Sequence, residues 1–238
     1  MECPWCGSSI IINNAKAVYS PPYLEAEMNG EYLHMATHTV YSECKTCGLL
    51  FINPRFPDAW YEWFYSSGTY RQTLGISHER MDADEQARAD ELVKWLKSIR
   101  KFSKIKTHLD VGSSKGYFLL ESSSAFNCEI TAFDLSGQYA CCSPTELKNI
   151  PFGLVSCIHV LEHVTDPIQE LTTLSQMTSK YLLIEVPGIN TLGGAFRFAH
   201  LYYFPPELLK NKIIELGFEI VAMETEPNTR ILGVKKVV

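Results

Sequence analysis

The sequence predicts an α/β protein with a Rossmann-like, mostly parallel sheet of the seven-stranded type, preceded by a small zinc-ribbon-like β module. Three observations lead there. Beyond residue 80, apolar runs of strand length alternate with segments of helical period, a pattern that specifies a parallel sheet covered on both faces. A glycine-bearing loop, LDVGSSKGYF at 109–118, joins one such run to a helix start. Ahead of these, two C-x-x-C-G motifs bracket a segment too poor in apolar residues to form its own core.

The motifs are CPWCG and CKTCG, with thiols at Cys3, Cys6, Cys44 and Cys47. In each, glycine permits the left-handed turn that brings two sulfurs together. Two such turns make a tetrahedral thiolate cage suited to structural Zn2+, and four thiolates leave no coordination position for catalysis. The span between them, with AVYS, EYLHMATHTVYSE and turn residues at Pro21, Pro22, Asn29 and Gly30, reads as short antiparallel strands stabilised by the metal. His34 and His38 are reserve ligands or surface residues on those strands. The other cysteines, Cys128, Cys141, Cys142 and Cys157, lie among apolar residues and read as core.

Residues 1–55 are thus expected to form the zinc module, 56–80 an aromatic connector rich in Trp and Tyr, and 81–238 the main domain. Within the last, Leu92, Trp95, Leu96 and Ile99 recur at helical spacing after an acidic start. There follow IKTHLDV (strand), KGYFLLESSSAF (helix), CEITAFD (strand), GLVSCIHV (strand), DPIQELTTLSQM (helix) and KYLLIEVPG (strand). PPELLKNKIIELG opens with proline and closes with glycine, the asymmetry of a helix, and two strands end the chain.

Ligands of such sheets bind at the carboxyl ends of the strands, where LDVGSSKGYF lies. Its G-x-x-x-G spacing is neither the dinucleotide fingerprint nor a phosphate loop, and alone it fits a tight turn as well as a ligand cradle. Asp134, about 20 residues beyond the loop, is placed to accept hydrogen bonds from ribose hydroxyls, which favours a nucleoside.

In order, HLDVGSSKGYFLL, AFDLS, GLVSCIHVLEHVTDP, YLLIEVPG and AHLYYFPPELLKNKIIELGFEIV resemble the motifs of class I S-adenosylmethionine-dependent methyltransferases. With the cysteine motifs and WFYSSGTYR in front, the chain is similar to the zinc-bearing subgroup that methylates nucleotide-linked sugars and intermediates of polysaccharide or natural-product assembly. The resemblance implies that S-adenosyl-L-methionine contacts Asp110, Gly112, Ser113 and Gly116 with its methionine part and Asp134 and Leu135 with its ribose. Ser156 to His159 would line its inner side. It also implies catalytic groups at Tyr65 and His200, with Phe198 and Ala199 replacing the His and Glu of sugar C-methyltransferases, so O-methylation is favoured. Arg71, Trp60, Tyr61, Trp63, Phe64 and Tyr70 are further candidates for the acceptor pocket.

Two departures stand out. Only LSGQYACCSPTELKNIPF separates the ribose acid from the next long strand, which shortens the sheet between strands 2 and 4 and leaves Glu146 and Leu147 as adenine walls. That shortening keeps a non-catalytic, methyltransferase-like scaffold as the alternative. His159, Glu162 and His163 also spell H-x-x-E-H, but a zinc protease needs both histidines on one long helix, and this segment ends a strand. The segment is similar to one that binds a divalent metal in ubiquinone-type methyltransferases, a resemblance that implies Glu162 and His163 as ligands, beside the simpler reading of packing and loop anchoring; His163 is also a third catalytic candidate.

A net charge of −6 argues against a nucleic-acid surface. The N-terminus lacks the basic and apolar regions of a signal peptide, and no apolar run has membrane-spanning length, so a cytoplasmic protein with a small-molecule acceptor is expected.

Overall fold

The computed structural model describes residues 1–19, 40–66, 77–135, 147, 150–188, 196–197 and 200–236. The expectations for His34, His38, Tyr70, Arg71, Cys141, Cys142 and Glu146 lie outside them. Among the described residues, no helix is long and apolar enough to cross a membrane.

The central sheet has strands β4 (Thr107–Val111), β5 (Glu129–Phe133), β6 (Phe152–Ile158), β7 (Thr178–Pro187), β10 (Phe218–Glu224) and β11 (Asn228–Lys235). Their order is β10-β11-β7-β6-β4-β5. β5, β4, β6 and β7 run parallel, while β11 returns antiparallel along β7 and β10 antiparallel along β11. Among the described residues β5 is an edge; the short strand expected around 139–142 lies outside them. Leu147, expected as an adenine wall, is buried as part of the hydrophobic core and is not among the residues that line the cavity at the carboxyl ends of β4 and β6.

The helices carry the start signals their sequences advertise. In α2 (His78–Ser98) the Ser77 side chain accepts from the Arg80 N–H, and in α4 (Pro167–Met177) Asp166 accepts from Gln169 ahead of a proline at the first turn. α3 (Tyr117–Phe126) starts from Gly116 in the left-handed region, and α5 (Pro206–Glu215) starts with proline. One core, with Leu92, Leu96, Phe118, Leu154 and Leu183, is formed where α2 and α3 meet the sheet; a second takes in Val155, Leu171, Leu182, Leu209 and Ile231. Cys128 is buried in the first and Cys157 in the second.

The second core continues into the N-terminal part. β1 (Ile11–Tyr19), β2 (Val40–Cys44) and β3 (Leu50–Asn53) form antiparallel pairs, and the sheet is extended by β8 (Phe196–Arg197) and β9 (Tyr202–Tyr203), which arrive from beyond β7. Trp5 packs edge-on against Phe204 with ring centroids 5.5 Å apart, and Tyr41 against Tyr203 at 5.3 Å. The aromatic stretch expected as a connector contains a helix, α1 (Asp58–Ser66). Trp60 and Phe64, four residues apart, stack at 4.9 Å on its buried side.

Candidate functional site

The four N-terminal thiols come together as expected. Gly7 N–H donates to the Cys3 carbonyl and Gly48 N–H to that of Cys44, closing both turns, with φ of 71° and 77° at the two glycines. Cys3 Sγ lies 3.6 Å from Cys47 Sγ, and Cys6 Sγ 3.6 Å from Cys44 Sγ. Sulfurs about 2.3 Å from a tetrahedral Zn2+ are about 3.8 Å apart; these two pairs are near that spacing, and all four sulfurs lie within 4.8 Å of one another. The donor set fits zinc.

A cavity of about 310 Å³ opens at the carboxyl ends of β4 and β6, between α2, the glycine loop and the His200 segment. This is the point where the sheet order reverses direction, and the volume falls in the small-molecule range. Of the predicted cofactor residues, Asp110, Gly112, Ser113 and His159 line it, as do all three predicted catalytic residues, Tyr65, His163 and His200.

The loop is stitched to the end of β5. Gly112 N–H and Ser113 N–H donate to the Phe133 carbonyl at 2.7 and 3.1 Å, and Ser114 N–H donates to Asp134 at 3.0 Å. Asp134 therefore holds the loop; Gly116 starts α3, and neither it nor Asp134 is among the cavity-lining residues, while Leu135 is 64% exposed. Gly112 adopts φ 76°, and Val160 packs so close that a Cβ there would meet Val160 Cγ2 at 2.1 Å. Ser113 Oγ is buried and, among the described residues, has no hydrogen-bond partner, a polar atom on the wall of the cavity it lines.

Asp110, the last residue but one of β4, is anchored by a chain of hydrogen bonds through the sheet. Ser156 Oγ donates to its carboxylate at 2.5 Å, His108 Nε2 meets Ser156 Oγ at 2.7 Å, and His108 Nδ1 meets Ser122 Oγ at 2.7 Å. Burial pushes His108 down to about 3, so it is neutral and bridges two hydroxyls. Burial also pushes the Asp110 carboxyl up to about 7, with repulsion from Asp134 adding and the Ser156 hydrogen bond opposing.

On the opposite wall stands a histidine cluster. β6 ends at Ile158, and His159 turns the chain with φ 54°, a left-handed conformation rare for histidine, so that His159, Glu162 and His163 all reach the cavity. Tyr65 Oη lies 2.7 Å from His163 Nδ1, placing the aromatic helix at the site. His163 and His200 meet edge to face at 4.9 Å, and His200 Nδ1 lies 3.0 Å from Tyr203 Oη. Glu162 is 1% exposed, with His159 Nδ1 at 3.5 Å and His163 Nε2 at 3.7 Å. Burial would raise its carboxyl, but His163, His159 and His200 outweigh burial and hold it at about 2. His159 is raised in turn: burial works against its charge, and Glu162 and Glu185 overcome that. Behind it, buried Glu185 pairs with Arg230, which also reaches Glu91 at 3.0 Å and Glu224 at 3.3 Å.

α2 supplies the cavity residues that sequence reasoning missed: Met81, Asp84, Glu85, Arg88, Ala89 and Leu92. Its acidic start serves as more than a helix signal, since Glu85 accepts from Ser114 Oγ at 2.9 Å and Asp82 pairs with Lys115 at 2.5 Å.

The profile of a methyltransferase-domain family matches residues 81–223. Among solved structures, magnesium protoporphyrin IX methyltransferase from Synechocystis PCC 6803 with bound S-adenosylhomocysteine is similar at a TM-score of 0.54 and 15% identity, over 75% of this chain and 99% of that one. The same enzyme with bound S-adenosylmethionine gives 0.52 at 14% identity, over 77% and 100%. A methyltransferase in complex with the Haloferax volcanii Trm112 methyltransferase activator gives 0.51 at 9% identity, over 67% and 93%. These likenesses concern the fold. Among curated proteins, no sequence relative matches the chain.

Proposed function

From the premise that the chain belongs to the methyltransferase-domain family, we propose that it transfers a methyl group from S-adenosylmethionine to an oxygen of a hydroxylated small molecule, a sugar or nucleotide-linked sugar. One observation carries this reading. A single cavity has the glycine loop with Asp110 and Ser113 on one wall and the cluster of Tyr65, Glu162, His163 and His200 on the other. S-adenosylmethionine, when bound, supplies an activated methyl group. Asp110 in its ionised form and the buried hydroxyl of Ser113 are suited to an ammonium and a carboxylate of a methionine moiety. Asp134 keeps the loop in place through Ser114 and so positions that wall.

Displacement at a methyl carbon depends on alignment and on removing the acceptor's proton. The imidazole of His200, with Nδ1 directed to Tyr203, takes that proton, and buried Glu162 stabilises the resulting cation. Tyr65 orients His163 through its hydroxyl. A cavity wall rich in carboxylate, imidazole and hydroxyl groups suits a polyhydroxylated acceptor better than an apolar one. The four-cysteine site, filled with structural Zn2+, braces β9 and through it His200.

Binding of S-adenosylmethionine measured by calorimetry and by thermal shift tests the premise, with Asp110→Ala expected to remove both signals. Absence of binding at millimolar cofactor would refute it and leave a non-catalytic scaffold. Transfer of a labelled methyl group to a panel of nucleotide-linked sugars tests the acceptor class.

A further inference from the structure

We infer that Glu162, His163 and His200 form a mononuclear site for a divalent transition-metal cation, separate from the four-cysteine site. One ligand atom from each of the three lies within 4.8 Å of the other two. Neighbouring ligand atoms about 2.1 Å from a shared ion are about 3.0–3.4 Å apart, so closing the set asks for a contraction of up to about 1.4–1.8 Å, which side-chain torsions must supply.

The carboxylate points to an ion independently of that spacing. Both Glu162 oxygens are buried, and among the described residues neither has a partner at hydrogen-bond geometry. A buried carboxylate needs compensation, and His159 Nδ1 at 3.5 Å and His163 Nε2 at 3.7 Å offset its charge from the outer limit of hydrogen-bond distance, leaving room at its oxygens for a closer partner. A cation bound between the carboxylate and the two rings satisfies it.

The surroundings have the form that metal-binding histidines need. His163 is held at Nδ1 by Tyr65, which directs Nε2 toward Glu162, and His200 is held at Nδ1 by Tyr203. Outer groups of this kind fix the tautomer and orientation of metal-binding imidazoles. Two imidazoles and one carboxylate suit Mn2+, Fe2+, Co2+ or Zn2+ rather than Mg2+ or Ca2+, and three protein ligands leave positions open toward the cavity. An acceptor with adjacent oxygens would fill them. That consequence rests on the methyl-transfer reading; binding of the ion does not.

The test uses the full chain with its thiol site loaded with zinc, and Co2+ as the probe, without cofactor or acceptor. Wild type is expected to bind one further Co2+ per chain, with weak visible bands of nitrogen and oxygen coordination and no thiolate-to-cobalt charge transfer. Glu162→Gln and His163→Gln are expected to weaken that binding at least about 100-fold, more than loss of an outer partner does. Tyr65→Phe should weaken it about 10-fold. Calorimetry with S-adenosylmethionine alone checks that each variant is folded and tests the methyltransferase reading separately. No second Co2+ in wild type at millimolar metal overturns the inference. Binding that persists in folded Glu162→Gln or His163→Gln also overturns it.

Discussion

Gly112 and Gly116 frame the loop and share a left-handed backbone, with φ of 76° and 78°, yet their surroundings differ. A Cβ at Gly116 meets nothing within 4 Å, whereas one at Gly112 falls 2.1 Å from Val160 Cγ2. Gly116→Ala therefore bears only backbone strain, about 1–2 kcal/mol, partly offset by a less flexible unfolded chain. A net loss of about 1 kcal/mol corresponds to a fall of about 2–4 °C in melting temperature for a chain of this size. Gly112→Ala bears the same strain plus overpacking of about 1–3 kcal/mol, because valine is branched at Cβ and turns with difficulty. The combined loss of about 2–5 kcal/mol is a fall of about 4–20 °C.

Val160 sits between His159 and Glu162, so the displaced side chain also disturbs the histidine cluster. Differential scanning calorimetry of the two variants measures the contrast, and Val160→Ala in the Gly112→Ala background should return about 1–3 kcal/mol by removing the methyl that clashes. Equal losses at the two glycines, or no recovery in the double variant, would refute the packing argument and leave strain as the only cause.

Burial pushes Asp110 up to about 7 from an ordinary value of 3.8, so its contribution to the stability of the unliganded protein is fully present below about pH 4 and lost as pH rises through 7. Asp110→Asn should accordingly melt above wild type at pH 8 and converge with it near pH 4; a pH-independent offset would contradict this. Tyr65→Phe should lower methyl transfer about 10- to 100-fold with S-adenosylmethionine affinity within twofold of wild type, since the hydroxyl acts through His163. Arg230→Met removes the guanidinium from buried Glu185 and leaves it only His159 and Asn228 among the described residues, and should cost up to about 3–5 kcal/mol in urea denaturation. Stripping the thiol site with a chelator should release one Zn2+ per chain by mass spectrometry and lower the melting temperature by about 10 °C or more.

The fold was legible wherever one local rule decided it. Alternating periods placed β4 to β7 and α3 to α5, and the thiol spacing anticipated the four-cysteine cage because a tetrahedron tolerates few arrangements. The helix α1 escaped because its aromatics were read by type and not by period, although Pro57, Asp58 and the Trp60–Phe64 spacing mark a helix start and face. β8 and β9 are two residues each, too short for any pattern, and exist only because β1 and β3 offer them edges. At the site, the family resemblance pointed to Asp110, Gly112, Ser113 and His159, and these four line one cavity. The contribution of α2 was hidden because its acidic residues satisfy a helix start equally well.

The joining of β9 to the N-terminal sheet bears most directly on function. His200 is held by Tyr203 at its ring and by Tyr41 at its carbonyl, and Tyr41 belongs to β2, whose last residue is the zinc-ligand candidate Cys44. The Leu201 N–H donates to the Glu162 carbonyl at 2.7 Å. A continuous path of strand pairing and hydrogen bonds thus runs from the four-cysteine cage to both Glu162 and His200. Placing the cage on a separate, loosely attached module would leave His200 on a free loop, with the ring position set by nothing stronger than its own torsions. Because β3 and β9 pair, order at the cage and order at the histidine cluster are one property. Metal loss at the cysteines should therefore weaken cofactor-independent Co2+ binding at Glu162, His163 and His200 while leaving the Asp110 wall, anchored through His108 and Ser156, in place.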